Sequence, residues 1–207
     1  MTSITPIRDP KSDWLLTPQN AALVIIDYQP VQFHSINSMN TAELIHNIVL
    51  VAKIGKAFNL PTILSTVNVS NGRNADTLSP LKAALEGVPS IDRTSMNSWE
   101  DAEFQAAVKA TGRKKLLMCA LWTEVCLAFP TIDAMREGFE CYPVVDACAG
   151  TSPLSHETAL RRVEQAGAHL VTIPEVICEL QRDWARTDTV KDFLALMFDA
   201  HAFTEAD

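Results

Sequence analysis

No stretch of this sequence reaches the roughly 18–20 consecutive apolar residues that a membrane-spanning helix needs. The opening MTSITPIRDPKSDW also lacks the apolar segment of a secretory signal. Positive charge is in deficit: 17 Lys and Arg stand against 25 Asp and Glu, a net charge of −8, so a nucleic-acid partner is not expected. The loops G-x-G-x-x-G, G-x-x-x-x-G-K-[ST] and G-x-S-x-G are missing, as are C-x-x-C and paired histidines of the type H-x-H or H-x-x-x-H. The cysteine pairs Cys119/Cys126 and Cys141/Cys148 each enclose six residues, more than the roughly two to four of a zinc pair. Five cysteines, an odd number, do not make the framework of a small secreted scaffold. The expectations are no metal, no cofactor, no membrane partner and a reducing, cytoplasmic setting.

What is present is globular in composition, with 47% hydrophobic and 20% charged residues. A chain of 207 residues can bury roughly 70% of its unfolded surface without a disulfide or metal staple. No internal repeat, low-complexity tract or linker divides it. The expectation is one domain over residues 1–207, with 1–15 an N-terminal arm and about 175–207 a helical tail.

Short apolar runs alternate with amphipathic ones. AALVIID (21–27), PTILSTVNV (61–69), KKLLMCA (114–120), FECYPVVDA (139–147) and AHLVTI (168–173) read as strands. Between them, 41–58, 80–85, 124–137 and 154–166 read as helices, as does a segment capped by Ser98 and ended by Gly112. Pro130 predicts a kink and Pro143 weakens the fourth strand. The alternation implies an α/β fold with a mostly parallel sheet and helices on both faces. Ligands in such sheets sit at the carboxyl ends of the strands.

Three candidate groups stand there. Asp27 ends the first strand, Arg93 lies in a loop before MNSWED, and Cys126 falls in the first turn after the third strand, in LLMCALWTEVCLAFP. A helix start favours a thiolate and offers amides to a developing oxyanion. A carboxylate beside it can take the thiol proton and later return one to a leaving group. Position alone leaves other readings open: Cys126 as a core residue, Asp27 as a turn residue, Arg93 as part of a structural ion pair. Asp146 reads as structural, Cys119, Cys141, Cys148 and Cys178 as filler, and His156 and His169 as surface or cap residues.

ALVIIDYQ, a cation before MNSWED, and ALWTEVCLAF together resemble the isochorismatase-like cysteine hydrolases over roughly Asp13 to Asp199. AFP after TEVC, and the later CELQRDW, are most similar to the YcaC-like subgroup. The resemblance implies a three-layer α/β/α fold of Rossmann type with a six-stranded, mostly parallel sheet. It implies a catalytic triad of Asp27, Arg93 and Cys126, a cis peptide at Leu121–Trp122, and an oxyanion hole from the Trp122 and Cys126 amides. Thr123 then fixes that loop, and Phe33 and Asn97 line the substrate pocket or support its loops. Two departures stand out: Arg93 replaces the usual lysine, and Trp122 replaces a small residue. The segment STVNVSNGRNAD has no histidine, so the metal site of nicotinamidases is not expected, and Cys126 disfavours isochorismate cleavage.

The implied activity is cysteine-dependent hydrolysis of a small amide or other C–N substrate through a thioester. The alternative is a thiol-based sensor or scaffold on a hydrolase fold. A homo-oligomer, with a small molecule as the other partner, is expected.

Overall fold

The computed structural model describes residues 5–204; the outermost residues of the expected arm and tail lie outside that range. Five strands form one parallel sheet: β1 (Ala21–Ile26), β2 (Thr62–Val67), β3 (Ser90–Arg93), β4 (Lys115–Ala120) and β5 (Glu140–Pro143), in the order β3-β2-β1-β4-β5. β1 is buried from end to end because it is central and covered on both faces, which is why its sequence is an unbroken apolar run.

The helices are α1 (Pro30–Phe33), α2 (Thr41–Ala57), α3 (Ser79–Ala84), α4 (Ala102–Ala110), α5 (Ala128–Arg136), α6 (Pro153–Gln165), α7 (Ile173–Gln181) and α8 (Val190–Asp199). Side chains alternate along the strands and build two cores. Leu23, Ile25, Leu117 and Cys119 pack toward α2, α7 and α8, while Val24, Ile26 and Met118 pack toward α4. The result is an α/β/α sandwich, as expected. Asn40 caps α2, its side chain accepting from the amides of Ala42 and Glu43. Among the described residues no helix is long and apolar enough to cross a membrane.

Several expectations are corrected. The sheet has five strands, not six. The segment expected as a strand at 168–173 does run beside β5, with the Val171 amide donating to the Pro143 carbonyl and the Val145 amide to Val171, but it forms only the isolated Val144–Val171 bridge. The reason is Pro143. The next rung would need an N–H from residue 143 to the His169 carbonyl, and proline has none. The fourth strand is correspondingly short, followed by a 3-10 turn at Val145–Ala147. Arg93 is the last residue of a strand, not part of a loop.

Asn97 and Asp101, not Ser98, provide the caps before α4. The expected helix 124–137 is a π-helical turn, Thr123–Leu127, leading into α5. Pro130 therefore lies in the first turn of α5, where a missing N–H costs little. The tail is two helices, broken where Arg182 adopts a φ of 60°.

Ile25 is fully buried at the centre of the sheet. Ile25→Ala should cost about 2–5 kcal/mol in urea-induced unfolding; a loss under about 1 kcal/mol would contradict this placement.

Candidate active site

Asp27 sits one residue beyond β1, where the backbone leaves the sheet with a φ of 63°. That left-handed conformation is uncommon for a residue with a side chain, and such strain is concentrated at functional positions. The turn aims the Asp27 carboxylate at Arg93, at the end of β3. The contact is bidentate: Nη1 donates to Oδ1 at 2.8 Å and Nη2 to Oδ2 at 2.7 Å. Both side chains have no solvent exposure. Nη1 also donates to Ser65 Oγ (3.1 Å) and to the Thr66 carbonyl (3.0 Å). Burial works against the guanidinium charge, but the bonds to Asp27 and its charge outweigh it and hold the Arg93 pKa above its ordinary value.

Cys126 completes the cluster from the π-helical turn. The residue is 7% exposed, and the Asp27 carboxylate acts on its thiol by charge and hydrogen bonding. Burial first, and then the Asp27 charge and hydrogen bond, push its pKa well above the ordinary thiol value. Arg93 and the Trp122 amide pull the other way and are outweighed. This reverses the expectation from helix position alone: the resting group is a neutral thiol bonded to a carboxylate. The Trp122 backbone amide does lower it, but by less than the desolvation of a nearly enclosed sulfur raises it.

The loop before the thiol is tightly clamped. The Leu121–Trp122 peptide bond is cis. The Thr123 amide donates to the Ala149 carbonyl (2.9 Å), and Thr123 Oγ1 is 2.7 Å from His156 Nδ1. Glu124 Oε1 accepts from both the amide (3.0 Å) and the hydroxyl (2.6 Å) of Thr151. The Trp122 amide lies against the Cys126 sulfur, whereas its indole packs with the core on the α2 side and donates from Nε1 to the Gln32 carbonyl at 2.9 Å. The thiol belongs to the opposite core. The ring and the sulfur are thus directed to different faces of the sheet.

Of the remaining expected site residues, Phe33 lies on α1, its ring tilted against Tyr28 at 6.4 Å. Asn97 does not join the cluster. It caps the turn after β3 and donates to Asp133 Oδ2 at 2.7 Å, so it supports the segment that follows Arg93. Asp146 accepts from the Ile173 amide at the start of α7, a structural role.

Two residues escaped the sequence reading. His156, read as a surface or cap residue, bonds Thr123. Gln29, fully buried, accepts from the Val67 amide and donates to the carbonyls of Val67 and Ala75, tying the β2 exit to β1. A glutamine three residues past a buried strand was the available signal. His156 offered none. Cys178, read as filler, is exposed, while the other four thiols are buried, and all five are free. Among the described residues no group of three or more His, Cys, Asp or Glu could hold a metal ion.

The parallel α/β/α sandwich thus gathers Asp27, Arg93 and Cys126 at the carboxyl ends of its strands. A sequence profile of the isochorismatase domain matches residues 21–175, and the chain belongs to the isochorismatase family of hydrolases. It is 37% identical over 187 residues to the probable hydrolase YcaC of Escherichia coli, covering 90% of this chain and 88% of that protein. The structure of YcaC from Pseudomonas aeruginosa with hexane-2,5-diol and covalent acrylamide superposes with a TM-score of 0.85 at 35% identity, over 91% of this chain and 94% of that one. The E. coli YcaC crystal structure, described as an octameric hydrolase of unknown specificity, gives 0.79 at 33% identity, over 94% and 100%.

Breaking a buried ion pair strands one charge. Arg93→Met should therefore cost about 3–5 kcal/mol of stability in urea, and the double variant Asp27→Leu/Arg93→Met should recover most of that loss. Equal stability of the two variants would contradict a shared, fully enclosed pair.

Proposed function

We propose that the protein is a cysteine hydrolase of a small amide or related C–N compound. The observation that carries this reading is the buried contact of Cys126 with a carboxylate that Arg93 holds in a fixed orientation. As sulfur attacks the substrate carbonyl, its proton passes to Asp27, so no free thiolate needs to accumulate beforehand. The oxyanion is held by the Trp122 and Cys126 amides. Asp27 gives the proton to the leaving nitrogen as the C–N bond breaks, leaving a thioester. Asp27 then takes a proton from water, the resulting hydroxide adds to the thioester, and the departing sulfur recovers that proton.

Arg93 keeps its charge at every step and acts as an anchor, because a guanidinium does not exchange protons near neutral pH. A relative solved with covalent acrylamide behaves as a protein with a nucleophilic thiol would. Thr123, Phe33 and Asn97 serve as loop and pocket supports.

The E. coli relative is described as octameric, and we extend a homo-oligomeric state to this chain. Exposed Trp14, Trp184 and Phe198 offer apolar surface for it. Five free thiols suit a reducing, cytoplasmic compartment.

Incubation with a panel of small amides should give an intact-mass increase equal to the acyl group, mapped to Cys126. Cys126→Ala should fold, form no adduct and lose turnover altogether. Turnover retained by Cys126→Ala would sink the mechanism.

A further inference from the structure

Buried polar atoms without partners are few in natural proteins, and each calls for a physical reason. Two lie in the segment between β2 and α3: Asn74 Oδ1 and Thr77 Oγ1 are both enclosed and unpaired. Thr77 is only 5% exposed. The other half of the Asn74 amide is engaged, Nδ2 donating to Gln32 Oε1 at 3.0 Å. Gln32 is itself 7% exposed, yet among the described residues its Nε2 forms no hydrogen bond. The two amides thus hold each other and leave over one acceptor, Asn74 Oδ1, and one donor group, Gln32 Nε2. Rotating both amides by half a turn keeps their mutual bond and again leaves one donor group and one acceptor.

The pair is close to the nucleophile in the chain of contacts. The Gln32 backbone carbonyl accepts from Trp122 Nε1 at 2.9 Å, and the Trp122 amide lies on the Cys126 sulfur. The loop that carries Asn74 is anchored to β1 through Gln29, which donates to the Ala75 carbonyl at 2.7 Å. Gln32 and Asn74 therefore stand on the same rim of the sheet as Asp27 and Cys126.

Building on the thiol-nucleophile reading, we propose that Gln32 and Asn74 form a subsite for an uncharged substrate group carrying both a donor and an acceptor, of which an unsubstituted carboxamide is the type. Its N–H meets the unpaired amide oxygen, and its carbonyl meets the unpaired N–H. A carboxylate brings only acceptors and leaves one buried oxygen facing another, which is unfavourable. An ester or a fully substituted amide lacks the N–H and leaves Asn74 unpaired. The subsite thus selects neutral amides over acids of the same shape.

Acrylamide is a direct probe. The Cys126 sulfur adds to its terminal carbon, the neighbouring carbon takes the thiol proton, and the carboxamide is left intact to engage the subsite. The experiment compares acrylamide with N,N-dimethylacrylamide on the full chain. Adduct at Cys126 is followed by peptide mass, and each rate is divided by that of the same reagent with glutathione. One hydrogen bond lost, with a buried acceptor left unpaired, predicts a normalised preference for acrylamide of about tenfold. Asn74→Leu, which removes the acceptor for the reagent's N–H, should reduce the preference to about threefold or less, whereas Gln32→Glu, which keeps that acceptor and the side-chain shape, should not lower it. Circular dichroism checks the fold of each variant, and the ratio cancels any general change in thiol reactivity. Labelling of Cys126 without a preference, or a preference that survives Asn74→Leu, overturns the subsite alone. Failure of both reagents to label Cys126 overturns the nucleophile reading and the subsite with it.

Discussion

The Asp27–Arg93 pair is the constraint around which the site is organised. A carboxylate and a guanidinium with no solvent exposure are tolerable only as partners, since removing either from water costs several kcal/mol. Their two parallel bonds fix both planes and tie the exit of β1 to the end of β3, across β2. The left-handed backbone at Asp27 and the bonds from Arg93 to Ser65 and the Thr66 carbonyl follow from that requirement. So does the supporting role of Asn97, which secures the chain just after Arg93.

This pair also sets the state of the thiol. A cysteine beside a free arginine would be drawn toward the thiolate. Here the guanidinium is already matched by Asp27, so Cys126 meets a nearly neutral ion pair in which Asp27 acts on it more strongly than Arg93 does. Desolvation then decides, and the proton stays on sulfur. In the proposed mechanism, such a site keeps its nucleophile masked until a carbonyl is in place.

The sequence disclosed the interior elements well and the edges poorly. β1 and β4 were legible because burial on both faces demands continuous apolar runs. β3 was not, because Ser-Ile-Asp-Arg is four residues at a sheet edge with three of its positions polar or charged for local reasons. Asp92, for example, serves the amides of Val69 and Ser70. The sixth strand failed on one missing N–H at Pro143, a detail that depends on which neighbour that residue faces. At the site, Asp27, Arg93 and Cys126 announced themselves by position, and the resemblance supplied their roles. The direction of the thiol shift was not legible, because helix placement can be read from spacing and enclosure cannot. His156 and the Gln32–Asn74 contact join residues far apart in the chain and carry no local signature.

The most direct test of the account is the ultraviolet thiolate absorbance of the unliganded protein through a pH titration, taken as the difference from Cys126→Ser. A neutral thiol bonded to Asp27 predicts no Cys126 thiolate at neutral pH and its appearance only above the ordinary thiol value of about 8.5. Full thiolate absorbance at neutral pH would contradict it, and would mean that Arg93, not Asp27, governs the nucleophile.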